Sequence, residues 1–229
     1  MIIEVAIFIA LFIMTFLLLS KYRIALLDAI VGGLATAPVS HDTRLEGLLE
    51  IAGRYYSEKN YLAAEKAYLK VLKVDHKNSL AYSRLGFIYS HFGQTDDAVE
   101  CFQIVADNYP NAASYYNLSM MLFKSRKFKR SAKALEKSIS MEETPARLVS
   151  LARIYRIIGQ YEFQIKTLKR ALDLEPKSVS IMLLLAEAYL HENQPKEASA
   201  IFKEILKIEP NNIRAKQALN SNPALKKMH

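Results

Sequence analysis

A pattern of apolar and small residues recurs five times along this chain at a spacing of 33 or 34 residues, and nothing else constrains the fold as tightly. Its clearest copy runs from Ser79 to Ala112. There Tyr82, Leu85, Gly86 and Tyr89 fall at the i, i+3, i+4, i+7 spacing of one helix face, and Ala98, Phe102 and Val105 repeat that logic on a second helix. Gly93 lies where the first helix must stop, and Pro110 closes the second. Like residues precede this copy as Leu48, Ile51, Ala52, Tyr55, Ala64 and Tyr68, and follow it as Tyr115, Leu118, Ser119, Leu122, Ser131 and Leu135. Two further copies carry Leu148, Leu151, Ala152, Tyr155, Gly159, Leu168, Ala171 and Pro176, then Met182, Leu185, Ala186, Tyr189, Ala198, Phe202 and Pro210. One hairpin cannot bury its apolar face alone, so a repeated hairpin implies a stack in which each copy covers the next.

Within each copy one position on either helix must be small for the two backbones to approach closely. Ala52 with Ala64, Gly86 with Ala98, Ser119 with Ser131 and Ala186 with Ala198 obey. The fourth copy sets Ala152 against Gln164, and a long polar side chain there is expected to tilt the helices apart or to swing outward.

The recurring offsets of aromatic, Leu-Gly, Tyr, Ala, Phe and Pro resemble the tetratricopeptide repeat (TPR), a helix-turn-helix unit of about 34 residues. The resemblance covers residues 45–212 and implies an all-α solenoid with repeats at 45–78, 79–111, 112–144, 145–178 and 179–212. His76 and Glu143 stand where the family has proline, so those two connections are expected to end less sharply. A sixth first-helix pattern begins at Ile213 but has Lys216 in place of the packing aromatic. Residues 213–229 therefore read as a capping helix and a tail. TPR proteins line a concave wall from the outer positions of their first helices. Carried over, that wall is Tyr56, Phe87, Tyr116, Met120, Phe123, Arg153, Arg156, Leu183 and Leu190. An aromatic and aliphatic trough with two arginines suits a protein or peptide partner with apolar anchors and a carboxylate or phosphate. The family's chaperone clamp is not matched, since Leu49, Gly53 and Arg84 occupy its key places.

Ile2 to Ser20 is apolar apart from Glu4, Thr15 and Ser20. Nineteen residues at about 1.5 Å rise reach about 28 Å, the thickness of bilayer hydrocarbon, so residues 1–23 are expected to be a transmembrane anchor with a basic flank. No basic side chain precedes the run and no small-residue cleavage site closes it, which argues against a secretory signal peptide. Lys21 and Arg23 follow it directly, which places the repeats on the cytoplasmic side of an inner membrane. The layout is similar to that of bacterial membrane-anchored TPR proteins. Residues 24–44 read as a juxtamembrane helix and linker. The stripe Leu26, Leu27, Ile30, Val31 and Leu34 is open to four readings: a helix lying on the membrane, one pairing with a second copy into a homo-oligomer, a simple continuation of the anchor, or a short helix folded back onto the first repeat.

The remaining chemistry is sparse. One cysteine, Cys101, excludes an intrachain disulfide and a zinc finger, and its place beside Phe102 marks it as a core residue. Phosphate-binding glycine loops and a nucleophile elbow are missing from the sequence. His191-Glu192 lacks the second histidine of a helical zinc site, so neither enzyme activity nor a cofactor is expected. The net charge of +8 suits acidic partners without choosing among them. It is concentrated at Lys124, Arg126, Lys127, Lys129, Arg130, Lys133 and Lys137, against the single acid Glu136. This basic turn of the third repeat is the alternative site, for anionic lipid or nucleic acid. Nucleic acid is the minor reading, because the aromatics mostly occupy packing positions.

Overall fold

The computed structural model describes residues 41–221, which form helices joined by short turns and, among the described residues, no strand. The helices are α1 (His41–Ser57), α2 (Tyr61–Val74), α3 (Ser79–His91), α4 (Thr95–Asn108), α5 (Ala112–Lys124), α6 (Phe128–Met141), α7 (Pro145–Ile157), α8 (Tyr161–Leu174), α9 (Val179–His191), α10 (Pro195–Ile208) and α11 (Ile213–Ser221). Each odd-numbered helix packs on the even-numbered helix that follows it, and each even-numbered helix packs on the next hairpin's first helix. The expected anchor, its basic flank, most of the juxtamembrane segment and the tail lie outside the described residues. Among those described, no helix is long and apolar enough to cross a membrane. α1 begins at His41, within the segment 24–44 read as juxtamembrane helix and linker, with Asp42 in a first turn whose free N–H groups favour an acid.

One turn geometry is used five times. Lys59, Gly93, Arg126, Gly159 and Asn193 have φ of 59°, 80°, 59°, 75° and 54°. The residue after each donates its N–H to the carbonyl five residues back, as Asn60 to Tyr55 at 2.9 Å, Gln94 to Tyr89 at 2.9 Å and Lys127 to Leu122 at 2.8 Å. This left-handed Schellman ending satisfies carbonyls that the terminated helix leaves free. Only two of the five positions are glycine, so Lys59, Arg126 and Asn193 hold a backbone that costs an L-residue about 1 kcal/mol.

The second helices α2, α4, α6, α8 and α10 are each 14 residues long, so those preceding His76 and Glu143 end as sharply as the others. Side chains do there what proline does elsewhere. Asp75 accepts the Lys77 N–H at 3.1 Å and the Asn78 amide at 3.0 Å, and Arg147 donates to the Glu142 carbonyl at 2.7 Å. Asn60, Asn78, Asn111 and Thr144 then cap the helices that follow them.

The small-residue pairs close the hairpins as anticipated. Ala52, Ala64, Ala98, Ala186 and Ala198 are wholly buried, and a Cβ on Gly86 would lie 2.7 Å from Phe102. Ser119 and Ser131 go further, each hydroxyl donating to the other residue's carbonyl, at 2.9 and 2.8 Å. Of the two outcomes expected of Gln164, the outward swing is not taken. The side chain is buried against α7, and its Oε1 has no hydrogen-bond partner. Burying an amide oxygen without a partner is a cost that this hairpin carries. At the far end Ala215 and Leu219 of α11 are buried while Lys216 faces out, so α11 closes the core with a polar back.

Candidate functional site

The residues expected to form a trough all lie on first helices, and the repeat brings them into columns. Phe87, Met120 and Arg153 are 33 residues apart and occupy one place on α3, α5 and α7; Phe123 and Arg156 occupy another on α5 and α7. Phe87 is 39 % and Phe123 36 % exposed, far more than core aromatics such as Phe102. Each is steadied edge-on by its own second helix, Phe87 by Phe102 at a centroid separation of 5.0 Å and Phe123 by Phe128 at 5.3 Å. Half-exposed aromatics held in one orientation offer contact area at little entropic cost, which is what a binding surface needs.

Tyr56, Tyr116 and Met120 are half-buried, and the two tyrosines are roofed by arginines that the sequence had not singled out as site residues. The guanidinium of Arg84 sits 4.5 Å from the Tyr56 ring centre, and that of Arg147 sits 6.0 Å from Tyr116. Each contact joins the first helices of neighbouring hairpins, so the surface is continuous from one repeat to the next. Their signal lay in the register alone: Arg84 precedes Leu85 and Arg147 precedes Leu148, on the edge facing the preceding hairpin. Arg153 and Arg156 are exposed and form no ion pair with any described residue, leaving both free for an anion. Leu183 does not belong to the wall. It is buried among the side chains of α9 and its neighbours, and Leu190 packs partly against the same core. The apolar residues flanking α9 on both sides draw that face inward.

The basic turn of the third repeat divides. Lys124 donates to the Ser90 carbonyl at 2.6 Å and to its hydroxyl at 2.8 Å, while Lys127 pairs with Asp96 at 2.6 Å. Both therefore fasten the turn after α5 to the turn after α3. Arg126 and Lys129 project outward, and Arg130, Lys133 and Lys137 line a cleft on the other side of the stack.

The titratable groups that depart from ordinary behaviour, Cys101 and three tyrosines, are buried or partly buried in contacts between helices. Burial pushes the Cys101 thiol up to about 12, aided by the charges of Glu100 and Asp97. Burial likewise raises Tyr155, whose hydroxyl donates to Glu136 at 2.5 Å, and it raises Tyr68 and Tyr89. Each of these shifts stabilises the neutral form, the opposite of an activated nucleophile. Among the described residues no group of three His, Cys, Asp or Glu side chains is placed to hold a metal ion. His191 instead stacks on Tyr161 at a centroid separation of 5.0 Å and His91 lies tilted against Tyr61 at 4.5 Å, where successive hairpins meet.

Comparison with known proteins bears on this geometry. Four family profiles described as tetratricopeptide repeat match residues 67–100, 89–147, 147–178 and 165–221, together spanning 67–221. The inactive peptidyl-prolyl cis-trans isomerase shutdown of Bombyx mori is 27 % identical over 153 residues, covering 66 % of this chain and 32 % of that protein. Tetratricopeptide repeat protein 8 of Caenorhabditis elegans is 22 % identical over 134 residues, covering 58 % of this chain and 25 % of that protein. The chain thus spans a third or less of either relative. Among solved structures, a MamA protein superposes with a TM-score of 0.65 at 22 % identity, covering 77 % of this chain and 95 % of that one. YrrB, described as a TPR protein with an unusual peptide-binding site, superposes with a TM-score of 0.64 at 16 % identity, covering 78 % of this chain and 97 % of that one. At these identities the likeness is one of fold.

Proposed function

We propose, on the premise that this chain belongs to the tetratricopeptide repeat family, that it is a scaffold whose first-helix face binds a protein or peptide partner and holds it at a membrane. The observation that carries the binding half is the pair of oriented, half-exposed rings of Phe87 and Phe123, in columns that run on to the unpaired Arg153 and Arg156. The rings suit apolar side chains of an extended or helical peptide, and the arginines suit a carboxylate or phosphate on the same ligand. The described peptide site of YrrB, a protein of similar fold, agrees with this use of the repeat.

The membrane half rests on sequence alone: the apolar run Ile2–Ser20 followed by Lys21 and Arg23. It makes the molecule a single-pass protein of an inner membrane, with the repeats in the cytoplasm and the bound partner recruited to the bilayer. The alternative reading, attachment to anionic lipid or nucleic acid through the basic turn, is weakened because Lys124 and Lys127 are engaged within the protein.

Affinity capture of the full chain from membranes tests both halves. Phe87→Ala and Phe123→Ala together are expected to lose a partner protein that the parent retains, with the helical fold intact. Retention of every partner refutes the binding site. A reporter fused after Lys227 is expected on the cytoplasmic side, and a periplasmic signal refutes the orientation.

A further inference from the structure

The second-helix side of the stack carries a cleft whose charges have no counterion. Between α4 and α6 a cavity of about 200 Å3 is bordered by Gln103, Arg130, Lys133 and Lys137 and floored by Leu118 and Leu122 of α5. The three cations stand at i, i+3 and i+7 along α6, so one helix face presents all of them to the cavity. Arg130 and Lys133 make no hydrogen bond or ion pair with any described residue. The Lys137 ammonium lies 5.1 Å from the Tyr115 ring centre, a contact that leaves its charge uncompensated. No acid borders the cleft. Asp107, one turn beyond Gln103 on α4, accepts that residue's amide N–H at 2.9 Å.

The corresponding cleft one repeat on shows what internal neutralisation looks like. Between α6 and α8 a cavity of about 450 Å3 includes Arg170, paired with Glu143 at 2.8 Å, and Glu136, which accepts the Tyr155 hydroxyl. There the protein supplies acids beside its cations. In the α4–α6 cleft it supplies none, and three like charges on one face repel one another until an anion joins them.

We propose that the α4–α6 cleft is a binding site for a small organic phosphate, its phosphate group held by Arg130, Lys133 and Lys137 and its apolar body resting on Leu118 and Leu122. A phosphomonoester carries close to two negative charges near neutral pH and three acceptor oxygens, which matches three cations better than a single carboxylate does. Arginine contributes a planar fork for two of those oxygens, and the lysines contribute mobile point charges. Leu118 and Leu122 are only 3 % and 2 % exposed, so they close the bottom of the cleft, and the apolar part also meets the half-buried Tyr115 ring and Ala134 beside them. A volume near 200 Å3 takes a phosphate and a single ring, whereas a polynucleotide or a bilayer needs an extended surface.

The test is calorimetric titration of the full-length chain, kept in solution by non-ionic detergent, with phenyl phosphate, inorganic phosphate and phenol as separate probes. Phenyl phosphate is expected to bind saturably at one site, roughly tenfold more tightly than inorganic phosphate because its ring leaves water, while phenol is not held. Arg130→Gln is expected to weaken phenyl phosphate about tenfold. Lys129→Gln, on the same helix but outside the cleft, changes it by less than about twofold. If Arg130→Gln lowers the melting temperature, Lys133→Gln supplies the same comparison. Absence of saturable binding overturns the proposal, as does an equal loss from Lys129→Gln, which makes the effect a diffuse field. Capture by phosphatidylglycerol vesicles without any response to the soluble probes also overturns it, and assigns the cations to a lipid surface. None of these outcomes depends on Phe87 or Phe123, so this site and the first-helix face stand or fall separately.

Discussion

Replacing Gly86 by alanine adds one methyl group where the second hairpin leaves no room for it, and the sign of the stability change separates two explanations of the repeat. An ideal Cβ at this position lies 2.7 Å from Cε2, 2.9 Å from Cδ2 and 3.1 Å from Cζ of Phe102. Carbon atoms pack comfortably at about 3.5–4.0 Å, so the ring must retreat by roughly 1 Å. Phe102 has nowhere easy to go, being wholly buried and held edge-on to Phe87. Overpacking of this kind costs about 1–3 kcal/mol, while exchanging glycine for alanine within a helix contributes about 1 kcal/mol in the other direction. The net expectation is a loss of about 1 kcal/mol. Gly53→Ala in α1 is the control, since nothing lies within 4 Å of its added Cβ and only the propensity gain of up to about 1 kcal/mol applies. Urea unfolding followed by circular dichroism reads both changes, and Phe102→Leu in the Gly86→Ala background should recover part of the loss. If Gly86→Ala stabilises the protein as Gly53→Ala does, close backbone approach is not what the small position serves.

Other consequences follow from the turns, the buried amide and the thiol. Gly93→Ala should cost about 1 kcal/mol, and Arg126→Gly, at the equivalent left-handed position, should stabilise by a fraction of that; equal signs in urea unfolding contradict the turn assignment. Gln164→Met removes an unpartnered buried oxygen while keeping the side-chain volume, and should raise stability by about 1 kcal/mol in the same assay. A loss there means that the oxygen has a partner in solution. Cys101 should react with a disulfide reagent at pH 8 at least about a hundredfold more slowly in the folded chain than in urea, and equal rates exclude its burial. Because its folded pKa lies above the unfolded one, its contribution to stability is full below about pH 9 and is lost as pH rises toward 12. Cys101→Ala should flatten part of that alkaline decline, the remainder belonging to Tyr68, Tyr89 and Tyr155, which are raised in the same sense.

The hairpins could be read from the chain because their determinants are local. Tyr82, Leu85, Gly86 and Tyr89 face a partner helix a few residues away, and the period repeats that relation. The left-handed turn was visible where glycine occupies it, at Gly93 and Gly159, and hidden at Lys59, Arg126 and Asn193, where only the register reveals it. What the period does not encode is how far a side chain reaches across to the next hairpin. Arg84 over Tyr56, Lys124 on Ser90 and Lys127 on Asp96 span that gap, so a cluster of cations that looked uniform in the sequence separates into fasteners and cleft residues. The sequence left Gln164 between two outcomes and misplaced Leu183. Polarity alone did not expel Gln164, which is buried with one oxygen unpaired, and Leu183 turns into the core cluster that its helix shares with its neighbours.

Site-directed photocrosslinking in cells puts the binding claim to its most direct trial. A benzophenone amino acid is placed singly at Phe87 and Phe123 on the first helices, and at Leu62 and Phe163, which are exposed on second helices. The account predicts adducts with a second protein from Phe87 and Phe123 and none from Leu62 or Phe163. Adducts from the second-helix positions alone, or first-helix adducts only with this chain's own residues, contradict it.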